Sequence, residues 1–163
     1  HFVAATNAND TVPRFLQNGV YDPKPSIATI SNAMDVGNPS NFVRIQEMYQ
    51  NDLKQFEKDF SSYTFSDAAT LEAMKTIQEQ KGYIAEPHGA VGYLGLKKEL
   101  QNHPDALGIF LETAHPIKFL DIVEPALGVT LPIPSQIESV LNKEKRSTKI
   151  KTYEELKAFL QNQ

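Results

Sequence analysis

The sequence predicts an α/β fold in which a short, mostly parallel sheet is flanked by helices. Three observations carry that expectation. Apolar runs of strand length stand at Phe2 to Thr6, Ile27 to Ile30, Tyr83 to Ala85 and Ile109 to Leu111, and such runs, lacking polar alternation, suit strands buried on both faces of a parallel sheet. Between them lie helical patterns that open on capping residues and stop at Gly. Two of the strand ends, Glu86-Pro87-His88 and Glu112 to Pro116, turn into a helix through polar residues and a Pro, whose missing N–H costs nothing in a first turn.

The composition narrows the function classes. With 163 residues, 40% of them hydrophobic and 22% charged, the chain has the length of one domain and enough apolar material for a core. A net charge of -4 without a basic cluster argues against nucleic acid, because a surface that tracks phosphates needs clustered Lys and Arg. No segment approaches the apolar length of a membrane span. The absence of Cys excludes disulfides and thiolate metal sites and fits a cytoplasmic protein. No signal peptide heads the chain, and its opening residues, without a starting Met, already read as a core strand, so the sequence looks like part of something longer. No internal repeat is visible.

In order, Phe2 to Thr6 is a buried strand whose end carries Asn7, Asn9 and Asp10. Asp10 or Thr11 caps a helix that tolerates Pro13 in its first turn, uses Phe15 and Leu16 as its apolar face and ends at Gly19. The Asn pair serves either capping and turn formation or ligand contact. Tyr21 to Ser26, with its prolines, is a loop. The stretch from Ser31 to Phe42 is rich in small and amide residues and leads into a helix capped by Ser40 or Asn41. Its backbone N–H groups suit an anion, and an ordinary capped turn looks the same. Phe42, Ile45, Met48 and Tyr49 continue at helical spacing, and Leu53, Phe56 and Phe60 extend an amphipathic helix from Asp52 to Ser62. Thr64 to Asp67 has the form of a capping box for a helix that stops at Lys81-Gly82.

Gly89, Gly92 and Gly95 recur every third residue after Glu86-Pro87-His88. Each costs a helix about 1 kcal/mol relative to Ala, so something presses on that stripe, either a neighbouring element or a bound cofactor. Ile117, Phe119, Leu120, Val123 and Leu127 form a helix closed by Gly128. Ser135 to Glu138 and Thr152 to Glu155 are further capping boxes, separated by a charged, flexible connection from Asn142 to Lys151, and the last helix is expected to cover the sheet.

The polar turns at Thr6 to Asp10, Glu86 to His88 and Glu112 to His115 lie along one sheet edge if the strands are parallel, and carboxyl ends of parallel strands are where ligands bind. No metal is expected: His88, His103 and His115 lack a ligating spacing. No Gly-x-Ser-x-Gly elbow supports a serine nucleophile.

Five blocks, from Phe2 to Leu16 (FVAATNANDTVPRFL), Tyr21 to Ser26 (YDPKPS), Ser31 to Phe42 (SNAMDVGNPSNF), Glu86 to Tyr93 (EPHGAVGY) and Thr113 to Phe119 (TAHPIKF), occur in the same order in the threonine synthase family, and the chain resembles that family's C-terminal segment. The resemblance implies the C-terminal part of a fold type II pyridoxal-phosphate enzyme of the tryptophan synthase β family, with residues 1–163 belonging to its large α/β domain and residues 50–80 a helical excursion. It implies conversion of O-phosphohomoserine and water to threonine and phosphate with pyridoxal 5'-phosphate. Thr113 matches the family position that hydrogen-bonds the pyridine nitrogen, and Glu86 falls beside the cofactor ring. Asn7, Asn9, Ser31, Asn32, Asp35, Asn38, Ser40, Asn41, His115 and Lys118 are pocket candidates, and Arg14, Arg44 and Lys118 are the local cations for a substrate phosphate. The family's Schiff-base lysine and glycine-rich phosphate loop lie upstream and are not in these residues, so no catalytic residue is assigned and the segment alone is expected to be inactive, its partner being the N-terminal half of the same chain. Lys58-Asp59 echoes the family's Lys-Asp pair only superficially, since Lys58 sits on a solvated helix. A non-catalytic packing module and a histidine-based metal hydrolase are the other classes open to the sequence.

Overall fold

The computed structural model describes residues 1–141 and 143–162. It divides into two compact units, His1–Leu131 and Pro132–Gln163.

In the first unit, strand β1 (Phe2–Thr6) leads into helix α1 (Thr11–Asn18), which stops at Gly19 in the left-handed conformation (φ 73°), as the sequence predicts. Asp10 stands at the N-cap position without a side-chain capping bond. After a long loop come α2 (Phe42–Met48) and α3 (Leu53–Asp59). The continuous helix expected through this region is broken at Gln50 and Asn51, both at positive φ, and restarted by Asp52, whose carboxylate accepts from the Gln55 N–H at 3.2 Å.

Strand β2 (Phe60–Thr64) follows directly and pairs in parallel with β1, Phe2 opposite Phe60 and Thr6 opposite Thr64. Residues 60–62, read from sequence as the end of a helix, are therefore strand. The sheet has these two strands, and the expected strands at 27–30, 83–85 and 109–111 are irregular. An extended segment becomes a strand only when a neighbour takes its N–H and C=O groups, and among the described residues these segments have no such ladder. Ile109 and Leu111 are 89% and 77% exposed rather than buried.

Helix α4 (Asp67–Lys81) is capped by Ser66, which accepts from the Ala69 N–H at 3.3 Å, and ends at Gly82, φ 64°. Helix α5 (Pro87–Leu100) packs on α4 and β1. Its glycine stripe is explained by neighbours: a Cβ on Gly95 would meet the Cβ of Ala5 at 2.6 Å, one on Gly92 would touch Phe110, and one on Gly89 would collide with the carboxyl of Glu112. A short 3-10 turn, Pro116–Phe119, precedes α6 (Leu120–Leu127), which stops at Gly128. Met74, Ala90, Phe119 and Val123 form one core cluster, while Phe15, Phe42 and Phe56 form a second from the first three helices, with ring centroids of Phe15 and Phe42 5.1 Å apart in an edge-to-face arrangement.

The second unit contains α7 (Ser135–Leu141) and α8 (Tyr153–Gln161). At α8 half of the capping box forms: Thr152 Oγ1 accepts from the Glu155 N–H at 3.2 Å, while the Glu155 carboxylate accepts at 2.7 Å from the N–H of Lys151, one residue before the cap. Ser135, expected as a cap, is the first residue of α7 instead. Of the charged connection, residues 143–151 lack regular structure, and Asn142 lies outside the described residues.

Candidate functional site

The head of α5 is built around Glu86. This residue holds extended backbone (φ -88°, ψ 169°) at the N-cap, with Pro87 next, and its fully buried carboxylate accepts from the backbone N–H of His88 at 2.9 Å and of Gly89 at 2.8 Å. The cap satisfies helix-end donors that have no partner within the helix. The same carboxylate also accepts from the His88 ring through Nδ1. The other ring nitrogen, Nε2, accepts from the backbone N–H of Ala33 at 3.0 Å. Because a backbone N–H can only donate, Nε2 carries the lone pair and the ring proton sits on Nδ1. His88, read from sequence only as part of a polar turn, is thus the bridge between α5 and the 29–37 loop.

That loop is organised by Asn7, at the end of β1. Asn7 is 1% exposed, and its amide nitrogen lies 2.8 Å from Thr29 Oγ1, 3.0 Å from Ser31 Oγ and 3.0 Å from Asp35 Oδ1. Its oxygen accepts from the backbone and side chain of Asn9, both at 2.9 Å. Asn9 in turn pairs with both backbone groups of Ile27. Asp35 accepts from Thr29 through its N–H at 3.0 Å and its hydroxyl at 2.7 Å. Asn7, Asn9, Ser31 and Asp35 are therefore brought together, with their hydrogen-bonding groups directed at one another. Buried polar groups of this kind fix a loop because each partner lost leaves another unsatisfied.

Asn32, Asn38, Ser40 and Asn41 lie exposed farther along the same stretch. Asn38 accepts from the Tyr21 hydroxyl at 2.9 Å, and Asn41 stands at the N-cap of α2 without a capping bond. Of the cations, Arg14 is engaged by Asp10 at 2.8 Å and Asp22 at 3.2 Å, and the Asp10 hydrogen bond above all holds its guanidinium above the usual range. Arg44 and Lys118 are exposed on separate elements, so the structure gathers no common phosphate cluster from these residues. Lys58 is exposed in the last turn of α3, in keeping with a solvated surface.

The 112–115 turn meets the head of α5 at Gly89. The Glu112 carboxyl occupies the space where a Gly89 Cβ would stand, and its Oε1 is buried without a hydrogen-bond partner among the described residues. Burial, with the nearby Glu86 charge as second cause, pushes this carboxyl up to about 7. Tyr83 is raised for related reasons, burial first and then the charges of Glu112 and Glu86. Thr113 beside it is exposed. His115 Nδ1 accepts from the Ile117 N–H at 3.1 Å and so caps the 3-10 turn. The sequence contains the signal for His88, a ring two residues after a capping Glu, but the fit of Glu112 into Gly89 joins residues far apart in the chain and has no local signature.

A continuous run of contacts thus passes from the Asn7 network through Ala33 and His88 to Glu86, Gly89 and Glu112. Two buried side-chain oxygens along it have no hydrogen-bond partner among the described residues, Thr6 Oγ1 next to Asn7 and Glu112 Oε1 next to exposed Thr113. Among the described residues, no group of His, Asp or Glu is placed to hold a metal ion, and no helix is long and apolar enough to cross a membrane.

The family model for "Threonine synthase, C-terminal" matches residues 89–160. A threonine synthase of Haemophilus influenzae is 47% identical over 137 residues, which is 84% of this chain and 31% of that protein. Among solved structures, threonine synthase from Escherichia coli superposes with a TM-score of 0.88 at 38% identity, over 99% of this chain and 37% of the other. The PLP-bound threonine synthase from Brucella melitensis gives 0.75 at 26% identity, over 88% of this chain and 36% of the other. The chain spans about a third of the length of the curated relatives it matches. Over the stretch it spans, with the sequence blocks and the fold of that family's C-terminal part, this chain belongs to the threonine synthase family.

Proposed function

We propose that this chain is the C-terminal part of a pyridoxal-phosphate enzyme that converts O-phosphohomoserine and water to threonine and phosphate. The observation that supports it most is the likeness to threonine synthases along nearly the whole chain, at 38% identity and a TM-score of 0.88. The cofactor, when bound, supplies an electron sink for proton removal from the substrate. The residues of this chain bind and orient. Thr113 offers a hydroxyl to the pyridine nitrogen, a weaker partner than a carboxylate, which leaves that nitrogen largely unprotonated and moderates the sink. Glu86 acts beside the ring by fixing the turn it caps. The Asn7, Asn9, Ser31 and Asp35 network holds the neighbouring loop, with Asn32, Asn38, Ser40 and Asn41 at its exposed side. Lys118, on the same turn as His115, and Arg44 are the cations available to a substrate phosphate.

The rest of the enzyme, carrying the lysine that bonds the cofactor, is the partner of this segment. Support comes from Leu107, Ile109 and Leu111, which are 101%, 89% and 77% exposed, while the intervening Gly108 and Phe110 lie against Leu96 and Gly92 of α5. Alternate side chains left bare along an extended apolar segment suit a strand awaiting neighbours. The test compares this chain with the complete polypeptide. The 163-residue segment stays colourless with pyridoxal phosphate and releases no phosphate from O-phosphohomoserine, whereas the complete polypeptide turns yellow and does. A stable yellow complex of the segment alone, or a complete polypeptide that binds the cofactor without releasing phosphate, would overturn the reading.

A further inference from the structure

Gly89 is not explained by its backbone. Its φ is not in the left-handed region, and it lies in the first turn of a helix, where Gly is the least favoured ordinary residue. Space explains it. The nearest atoms to a Cβ at this position would be both carboxyl oxygens and the carboxyl carbon of Glu112, close enough that one of the two residues would have to move. Gly89 and Glu112 therefore fit as notch and key, and together they join the turn preceding Thr113 to the head of α5.

The notch is a poor place for a negative charge. Glu112 Oε1 is buried and receives no hydrogen bond from the described residues. The nearest helix-end donors, the N–H groups of His88 and Gly89, are already taken by Glu86, whose own carboxylate is wholly buried nearby. The titratable groups around the key are Glu86 and His88 at the head of α5, Tyr83 just before them and His115 later in its own turn, and none donates to Oε1. A carboxyl so placed favours its neutral form on two counts, lost hydration and a like charge beside it.

Resting on the proposed cofactor reading, we propose that Glu112 is a positioning residue that works with a proton on its carboxyl. In its neutral form it sits in the Gly89 notch and holds the 112–115 turn, and with it Thr113, against α5. When it ionises, the carboxylate leaves the notch for water and Thr113 loses its fixed place beside the ring. Proton uptake and release occur at the Glu112 oxygens alone, with solvent as the other party. The midpoint of this change lies at about 7, inside the range in which an enzyme of this class would work.

The test uses the complete polypeptide in three forms: unaltered, Glu112→Gln and Gly89→Ala. The carboxyl carbon resonance of Glu112, identified by its loss in E112Q, titrates with a midpoint near 7 in the unaltered protein and moves back toward 4.5, the ordinary value, when the G89A methyl fills the notch. The Thr113 amide resonance and the affinity for pyridoxal phosphate follow the same midpoint in the unaltered protein, affinity falling several-fold on the alkaline side, and lose that dependence in E112Q. A Glu112 midpoint near 4.5, or an E112Q protein whose Thr113 amide still responds around 7, would overturn the proposal. A polypeptide that binds no pyridoxal phosphate would defeat the cofactor reading instead, while the two resonances would still judge the role of Glu112.

Discussion

His88 Nε2 accepts the Ala33 N–H at 3.0 Å, a bond between residues 55 positions apart that ties the 29–37 loop to the first turn of α5. The ring is 8% exposed and its other nitrogen is committed to Glu86. One side chain therefore satisfies a backbone donor of one segment and a capping carboxylate of another.

Replacing His88 by Ala leaves the Ala33 N–H without its acceptor and Glu86 without its ring partner. The expected cost is about 2 kcal/mol, the size of an unsatisfied buried polar group, read as a lower urea midpoint. Limited proteolysis should show new cleavage within residues 29–37 before global unfolding, because the loop is released first.

Asn7 is a donor facing the Asp35 carboxylate, so Asn7→Asp reverses the sense of the contact with almost no change of shape. At neutral pH two carboxylates then share one buried site, and a loss of about 3 kcal/mol follows from the lost donor and like-charge contact. Acidification to around pH 4 should restore part of it by protonating one member. Equilibrium unfolding at both pH values checks the sign, and an N7D protein as stable as the original at neutral pH would contradict the network.

Glu99, at the end of α5, accepts from the Ser61 hydroxyl and, at 2.9 Å, from the Tyr63 hydroxyl of β2, and lies 3.2 Å from His103 Nε2. Burial, the largest single cause, pushes its carboxyl up, but the hydrogen bonds from Ser61 and Tyr63 and nearby positive charge, His103 first, together leave it below the ordinary value of 4.5. A depressed folded value means that the unfolded chain binds the proton first, so the contribution is complete above about 4.5 and is lost as pH falls through the folded value. E99Q should lower stability at neutral pH by about 2 kcal/mol and flatten the acid limb of the melting-temperature curve.

Gly95 opposes Ala5, and a methyl group there would stand 2.6 Å from the Ala5 Cβ. Gly95→Ala gains about 1 kcal/mol in helix preference and loses about 1–3 kcal/mol by overpacking. The net expectation is a modest destabilisation, whereas G92A, facing a Phe110 ring at ordinary contact distance, should be neutral or stabilising. The difference between the two variants in thermal melting separates packing from propensity.

How far the sequence discloses this structure depends on whether the deciding contact is local. Gly19, Gly82 and Gly128 mark helix ends because a left-handed residue is needed there, and the Thr152 cap reaches only three residues ahead, whereas the box read at Thr64 to Asp67 is displaced: Thr64 ends β2 and Ser66 caps α4. Phe60 misleads because it falls at helical spacing from Leu53 and Phe56, although Ser61, Ser62, Tyr63 and Thr64 are poor helix formers and its partner, β1, lies far away in sequence. Ile109 to Leu111 misleads differently: the apolar pattern is that of a strand, but a strand also needs neighbours. At the site, the residue types at Asn7, Asn9, Ser31 and Asp35 single them out, yet they spend their hydrogen bonds on one another across some twenty-five residues of chain, which no local pattern signals. Glu112 stands in the polar turn that the sequence points to, while its fit with Gly89 is a matter of shape between distant residues.

The parallel pairing of β1 with β2 has a kinetic consequence. Register opposes Phe2 to Phe60, so the chain must close a long loop before the first ladder bond repays the entropy, and such non-local contacts slow folding. Contacts between α4 and α5 are close in sequence by comparison and can assemble early. On a ribosome, the apolar residues of β1 therefore emerge well before their strand partner has been synthesised, and this interval is when a holdase chaperone would have most to protect.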